Sequence, residues 1–280
     1  MKILITGGNG QLGCDMALLL KRNNIPYRAI DIEECDLTQE TAVMTYITTY
    51  APTHVIHCAA YTAVDKAESD EQTCYRVNVL ATENVAKACL LIDATLIYIS
   101  TDYVFHGDGD SPLEVDAPEA PLSVYGKTKY EGEQVVKAWL KKYYIVRTSW
   151  IFGVHGNNFV KTMLRLGNEK DTLSVVADQI GSPTYTPDLA EFLYALLQTK
   201  RYGVYHATNE GFCSWYEFAK TIMEYAKLSC EVVPVSTSEY PTPAKRPHNS
   251  RLSKQSIVDA GLPLLPHWQQ ALQRFLQEIQ

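Results

Sequence analysis

Tyr125 and Lys129, in the run Tyr125-Gly126-Lys127-Thr128-Lys129, are the side chains whose types and spacing most directly suggest chemistry. An i, i+4 separation places both on one face of a helix. A phenol titrates at about 10 and is by itself a poor proton carrier at neutral pH. An ammonium one turn away stabilises the phenolate and lowers that value, so a proton can move in step with a hydride. The same spacing also fits an ordinary Tyr–Lys pair on a surface helix. A strand-like run just upstream ends in Ile99-Ser100-Thr101. A hydroxyl at the C-terminal end of a parallel strand points into the ligand crevice. Thr101 is therefore the candidate for a second hydrogen bond to a reacting oxygen, or else simply part of a strand-end turn.

The second constellation is Gly7-Gly8-Asn9-Gly10-Gln11-Leu12-Gly13, which follows the first apolar run and opens a helical pattern. It satisfies G-x-G-x-x-G through Gly8, Gly10 and Gly13, and G-x-x-G-x-x-G through Gly7, Gly10 and Gly13. Glycine is needed where a Cβ would block the tight turn, the approach of a pyrophosphate, or close helix–strand packing. The helix N-terminus then offers free N–H groups and a positive dipole to phosphates. Asp31, closing the next strand, is placed to accept from adenosine ribose hydroxyls, which by itself favours NADH over a 2′-phosphate. Asp36-Leu37 could flank the adenine, although Asp36 would serve equally well as a helix N-cap.

These groups need a scaffold, and the first half supplies one. Apolar runs at Ile3 to Thr6, Tyr27 to Ile30, His54 to His57, Thr95 to Ile99 and Tyr144 to Thr148 alternate with helical patterns at Gln11 to Lys21, Thr38 to Tyr50, Glu71 to Leu91 and Val124 to Leu140. Near-continuous apolar strands alternating with helices mean an α/β fold, a doubly wound parallel sheet of Rossmann type. After Trp150 the rhythm breaks into shorter helices at Asn158 to Leu166, Asp188 to Gln198, Ser214 to Tyr225 and His267 to Gln277. The proline-rich run from Tyr240 to Pro247 cannot be helix or central strand. We expect a dinucleotide-binding domain over 1–150, with part of 185–208 returning to it, and a smaller substrate-binding lobe over 151–280.

Composition narrows the class. A net charge of −7 argues against a nucleic-acid surface, which is normally basic. The seven cysteines are scattered without a C-x-x-C pair, so neither a disulfide framework nor a zinc site is expected. The seven histidines lack metal-ligand spacing and read as structural or solvated. No apolar run approaches the ~18 residues of a membrane span, and the N-terminal run is too short for a signal peptide. A cytoplasmic protein without membrane partners is expected.

Longer stretches bring in a resemblance. They include Ala59-Ala60-Tyr61-Thr62-Ala63-Val64-Asp65-Lys66-Ala67-Glu68, Ser100-Thr101-Asp102-Tyr103-Val104-Phe105, Arg147-Thr148-Ser149-Trp150, Asn157-Asn158-Phe159-Val160, Asp178-Gln179-Ile180-Gly181-Ser182-Pro183-Thr184 and Pro241 through Leu252. With the two motifs above they cover nearly the whole chain. It resembles the extended short-chain dehydrogenase/reductases, and within them the dTDP-4-dehydrorhamnose reductase family. The resemblance implies NADPH or NADH as cofactor and a nucleotide-linked 4-keto sugar as substrate. It places Gly10, Gln11 and Leu12 on the pyrophosphate, Asp31 on the ribose, Asp36 and Leu37 on the adenine, and Ala59, Ala60, Tyr61 and Thr62 along the cofactor. Tyr125 and Lys129 would also meet the nicotinamide end. Thr101 and Asp102 would face the sugar, Trp150 would floor it, and Arg246 and Asn249 would contact the nucleotide of the substrate. Some members hold Mg²⁺ at a dimer contact through an acid early in the first helix and acids near Asp188. Asp15 matches, but Pro187 stands where one such acid would fall, so no metal ligand is assigned and either a monomer or a homodimer is expected. Two rivals share the fold. An epimerase or dehydratase would return the hydride to its sugar, and a non-catalytic nucleotide-binding regulatory subunit would commonly lack the Tyr, Lys or Thr present here.

Overall fold

In the computed structural model, which describes residues 1–279, the apolar runs become one parallel sheet. The chain opens with β1 (Ile3–Thr6), α1 (Gln11–Arg22), β2 (Tyr27–Ile30), α2 (Glu40–Tyr50) and β3 (His54–His57). Two short helices follow, α3 (Val64–Ala67) and α4 (Glu71–Tyr75), and a π-helical turn at Arg76–Leu80 leads into α5 (Ala81–Leu91). Next come β4 (Thr95–Thr101), α6 (Val124–Trp139) and β5 (Tyr143–Thr148). The second half begins with β6 (Ile151–Phe152), α7 (Phe159–Glu169), β7 (Thr172–Val176), β8 (Ile180–Gly181) and β9 (Thr184–Tyr185). It continues with α8 (Thr186–Leu197), β10 (Gly203–His206), β11 (Cys213–Ser214), α9 (Trp215–Ala226) and β12 (Glu231–Val235). β13 (Asn249–Ser250), α10 (Gln255–Asp259) and α11 (Trp268–Glu278) close the chain.

The main sheet has the order β10-β5-β4-β3-β1-β2, with every neighbouring pair parallel. Side chains on a strand alternate between faces, so each apolar strand must be covered twice. Ile3, Ile5, Ile56 and Ile97 pack with Met16, Leu20, Leu189 and Leu193 from α1 and α8. Leu4, Val55, Leu96 and Ile145 face the other way, onto Val43, Ile47, Val85 and Val136 from α2, α5 and α6. This is the doubly wound arrangement expected. The sixth strand, β10, pairs with β5 although it follows the break in rhythm after Trp150. A separate core of Phe152, Val160, Met163, Phe218, Ile222, Trp268 and Phe275 joins α7, α9 and α11. No helix of the described residues is long and apolar enough to cross a membrane.

Three local expectations need correcting. The second helix begins at Glu40 rather than Thr38, because Asp36 Oδ1 accepts from both Thr38 N (2.9 Å) and Thr38 Oγ1 (2.8 Å) and holds a turn there. The helix read from Glu71 to Leu91 widens to a π-turn at Arg76–Leu80. There the Asn78 side chain accepts from Tyr61 N (2.8 Å) and donates to Thr128 Oγ1 (3.0 Å). The fourth strand runs on to Thr101 rather than stopping at Ile99, since β5 pairs with it as far as Thr101↔Thr148.

The cysteines are free. His57 is buried between the hydroxyls of Thr6 (2.7 Å) and Thr82 (3.1 Å), and burial pushes it down to about 3, so it stays neutral.

Candidate active site

Strand order reverses beside β1, whose neighbours β2 and β3 lie on opposite sides, so the loops leaving β1 and β3 diverge and open a crevice. A crevice of 740 Å³ lies there, at the C-terminal edge of the sheet. The backbone makes its floor. Gly7 has φ +68°, and a Cβ on it would meet Ala59 N at 2.6 Å. A Cβ on Gly13 would strike the Gly7 carbonyl oxygen at 2.1 Å. Both glycines let α1 start directly against the two strand ends. Gly10 is the N-cap of α1 and brings no side-chain cap, and the first turn carries no acid. The helix N-terminus therefore keeps free N–H groups and positive potential for a phosphate. Gly7, Gly10, Gln11, Leu12 and Gly13 line the crevice together with Asp31, Asp36 and Leu37, and with Ala59, Ala60 and Thr62 from beyond β3. Asp31 Oδ2 accepts from Asn9 N at 3.0 Å, which ties the end of β2 to the glycine loop.

Thr101, Asp102, Tyr125, Lys129 and Trp150 line the opposite end. Ser123 caps α6, its hydroxyl accepting from Gly126 N at 3.1 Å, and this fixes the first turn that carries Tyr125. The Tyr125 ring meets the edge of Tyr103 at 5.5 Å and 77°. Lys129 donates Nζ–H to the Ile99 carbonyl at 2.7 Å and lies 4.0 Å above the centre of the Tyr98 ring. The Thr101 hydroxyl donates to Asp102 Oδ1 at 2.9 Å.

The electrostatics revise one expectation. Burial pushes the Tyr125 phenol above its ordinary value, and the hydrogen bond with Thr101 only partly offsets this. Burial also pushes the Lys129 ammonium down to about 7, with Glu133 opposing. Desolvation outweighs the Thr101 bond, and Tyr125 stays a protonated phenol. A protonated donor is the form that a reduction consumes. Burial likewise lifts Asp102 to about 6.

Trp150 sits at φ +49°. Its indole stacks on Trp215 with centroids 3.7 Å apart at 16°. Gly181 leaves room beside it, since a Cβ there would come within 2.9 Å of the indole. Trp215 and Phe159 also line the crevice, and the sequence reading missed both. Neither belongs to a local pattern, because they reach the site only through the packing of α7 and α9.

Three expected residues are held elsewhere. Tyr61 donates its hydroxyl to Asp70 at 3.1 Å and is not on the crevice wall. Arg246 forms a two-pronged pair with Asp65, at 2.9 and 2.8 Å, instead of lining the crevice. Asn249 is buried and donates to the Ser111 carbonyl at 2.8 Å, which makes it a brace for the loop from 108 to 111. As for metal, among the described residues no group of three or more His, Cys, Asp or Glu is placed to hold an ion. Asp188, the acid nearest the expected position, is spent on Arg274 and Asn209.

Comparison with known proteins gives the family. The family described as RmlD substrate binding domain matches residues 1–280. A dTDP-4-dehydrorhamnose reductase from Aggregatibacter actinomycetemcomitans is 42% identical, covering 97% of each chain. Among solved structures, a dTDP-4-dehydrorhamnose reductase from Clostridium acetobutylicum superposes with a TM-score of 0.98 at 43% identity, covering 100% of this chain and 99% of its own. One from Bacillus anthracis, solved in complex with NADP, gives 0.97 at 45% identity, covering 99% of this chain and 100% of its own. The match runs the whole length of the chain and includes α6 and the lobe that follows it, so this protein belongs to the dTDP-4-dehydrorhamnose reductase family.

Proposed function

We infer that this chain reduces the C4 keto group of dTDP-4-dehydro-L-rhamnose to give dTDP-L-rhamnose, as a cytoplasmic NAD(P)H-dependent enzyme. The observation that carries the reading is a half-buried, protonated Tyr125 phenol sharing one crevice with an uncapped, glycine-cradled helix N-terminus. The cradle fits a dinucleotide, because its glycines remove the Cβ atoms that would fill the path of a pyrophosphate. When bound, the nicotinamide dinucleotide supplies the hydride that reaches C4. Tyr125 gives its phenolic proton to the C4 oxygen as charge develops there. Thr101 offers a second hydrogen bond once its hydroxyl turns from Asp102 to the C4 oxygen, and Lys129 places a positive charge one helical turn from the phenol. Trp150 and Trp215 close the sugar end against water, and the lobe around α9 takes the nucleotide of the substrate, whose contacts orient the ring. Residues 1–150, with 185–208 returned to them, would form the dinucleotide-binding part.

Purified protein mixed with NADPH and the 4-keto sugar nucleotide should lose nicotinamide absorbance in step with sugar consumed. Conversion of the sugar with the absorbance unchanged would instead mean an epimerase or dehydratase. Asp31 gives a second test. Its carboxylate repels a 2′-phosphate, so Asp31→Ala should shift relative affinity toward NADPH by about tenfold, a coupling of about 1.4 kcal/mol. Dissociation constants for NADPH and NADH that keep their ratio in the variant would remove Asp31 from the ribose.

A further inference from the structure

Thr101 and Asp102 adjoin where β4 ends, and both line the crevice. A threonine hydroxyl has one hydrogen to give and two lone pairs with which to receive. The Thr101 hydroxyl receives the Tyr103 N–H at 3.3 Å and gives its hydrogen to Asp102 Oδ1 at 2.9 Å. Only a lone pair remains, so in this arrangement Thr101 can accept at the crevice but cannot donate there. Asp102 is buried. Its second carboxyl oxygen is enclosed without a hydrogen-bond partner, although the Ser250 hydroxyl of β13 stands next to it.

A carboxylate only accepts, whereas a carboxylic acid carries one O–H. With a proton on Oδ1, Asp102 becomes the donor in the same 2.9 Å contact. Thr101 Oγ1 then spends both lone pairs, on Tyr103 N–H and on Asp102, and its own hydrogen is free to turn into the crevice. Enclosure with an unpartnered oxygen favours this acid form. The charges around it are engaged elsewhere. Tyr103 and Tyr125, whose titration is coupled to Asp102, are both raised by burial and stay neutral. Arg246 of the proline-rich loop and Asp65 of α3, which act on Tyr103, are spent on each other. The other charged groups on the crevice wall are Lys129, held by the Ile99 carbonyl, and Asp31 and Asp36 at the glycine-loop end.

We propose that Asp102 is a positioning residue whose proton decides whether the Thr101 hydroxyl can donate to the reacting oxygen, an inference that rests on the reductase reading above. The proton stays on Asp102 through the reaction, and only the direction of one hydrogen bond changes. The acid form is the working form. Burial lifts Asp102 to about 6, so that form exists below this value and is lost as the pH rises through it.

The test compares the wild type with Asp102→Asn and Thr101→Val in the pH profile of kcat. From about pH 5 to about pH 7 the wild type should lose about tenfold, the worth of one hydrogen bond to a developing oxyanion taken conservatively. Asp102→Asn offers an amide N–H to Thr101 at every pH, and Thr101→Val has no hydroxyl to aim, so both profiles should be level over this range. Lys129, which burial pushes down to about 7, gives its own fall above it in all three proteins. If Asp102 acted on the sugar without Thr101, Thr101→Val would keep the fall. A second readout needs no turnover. The carboxylic C=O infrared band that is missing from Asp102→Asn should titrate in the wild type, and its midpoint should rise by about one pH unit in Thr101→Val, because the carboxylate loses a hydrogen bond. Thermal melts identify a variant that has lost its fold, and the infrared midpoint of Thr101→Val then decides. The wild-type fall persisting in folded Asp102→Asn or Thr101→Val, or an unmoved infrared midpoint, overturns the proposal. A wild-type protein that fails to reduce the keto sugar overturns the reductase reading instead, and the infrared band still decides whether Thr101 and Asp102 share the hydrogen.

Discussion

Replacing Tyr125 with phenylalanine is expected to lower kcat by about 10²- to 10⁴-fold while the dissociation constant for NADPH changes little. The ring of Tyr125 packs edge-on against Tyr103 and its helix turn is fixed by Ser123, so the variant loses one oxygen and little else. That oxygen is the proton donor in the proposed reduction, and it lies on the crevice wall. Stopped-flow reduction at saturating cofactor and sugar nucleotide would measure the loss, and titration of NADPH fluorescence would report affinity. If Tyr125→Phe turned over at a rate near wild type, the proton would have to come from another group, and the assignment of this crevice as the reducing site would fail.

Arg147→Met is expected to destabilise the fold by about 3–5 kcal/mol, read as a lower denaturant midpoint. The guanidinium is wholly enclosed and is held by two carboxylates and a backbone carbonyl. Removing it strands the Glu133 carboxylate inside the protein with only Ser100 close by and Lys137 at the margin. The double change Arg147→Met with Glu133→Leu should restore much of that stability, since an uncharged interior of similar volume no longer carries the desolvation penalty. A single Arg147→Met variant within about 1 kcal/mol of wild type would show that the pair is not a strongly coupled buried charge.

Several features of the molecule were legible before any coordinates. The glycine run at 7–13 marks a tight turn and an open helix start, because the requirement for a missing Cβ is local to the backbone. Tyr125 and Lys129 share a helix face because helical periodicity fixes neighbours four residues apart. The strands from Ile3 to Thr148 announce themselves as apolar runs, since a sheet covered on both faces needs apolar side chains in both directions. β10 was harder to place. Its four residues match no pattern stronger than their neighbours', and only pairing with β5 makes Gly203–His206 a strand.

Local rules thus set the fold class, the glycine cradle and the Tyr125–Lys129 pair, because each depends on residues that are close along the chain. Tertiary packing decided the rest. It brought Trp215 against Trp150, engaged Arg246 with Asp65 and Asn249 with Ser111, and enclosed Glu133 of α6 with Arg147 of β5. It also determined how Tyr125 titrates. Helical spacing by itself favours a lowered phenol, but desolvation depends on every element packed around the ring, and here it raises the phenol instead.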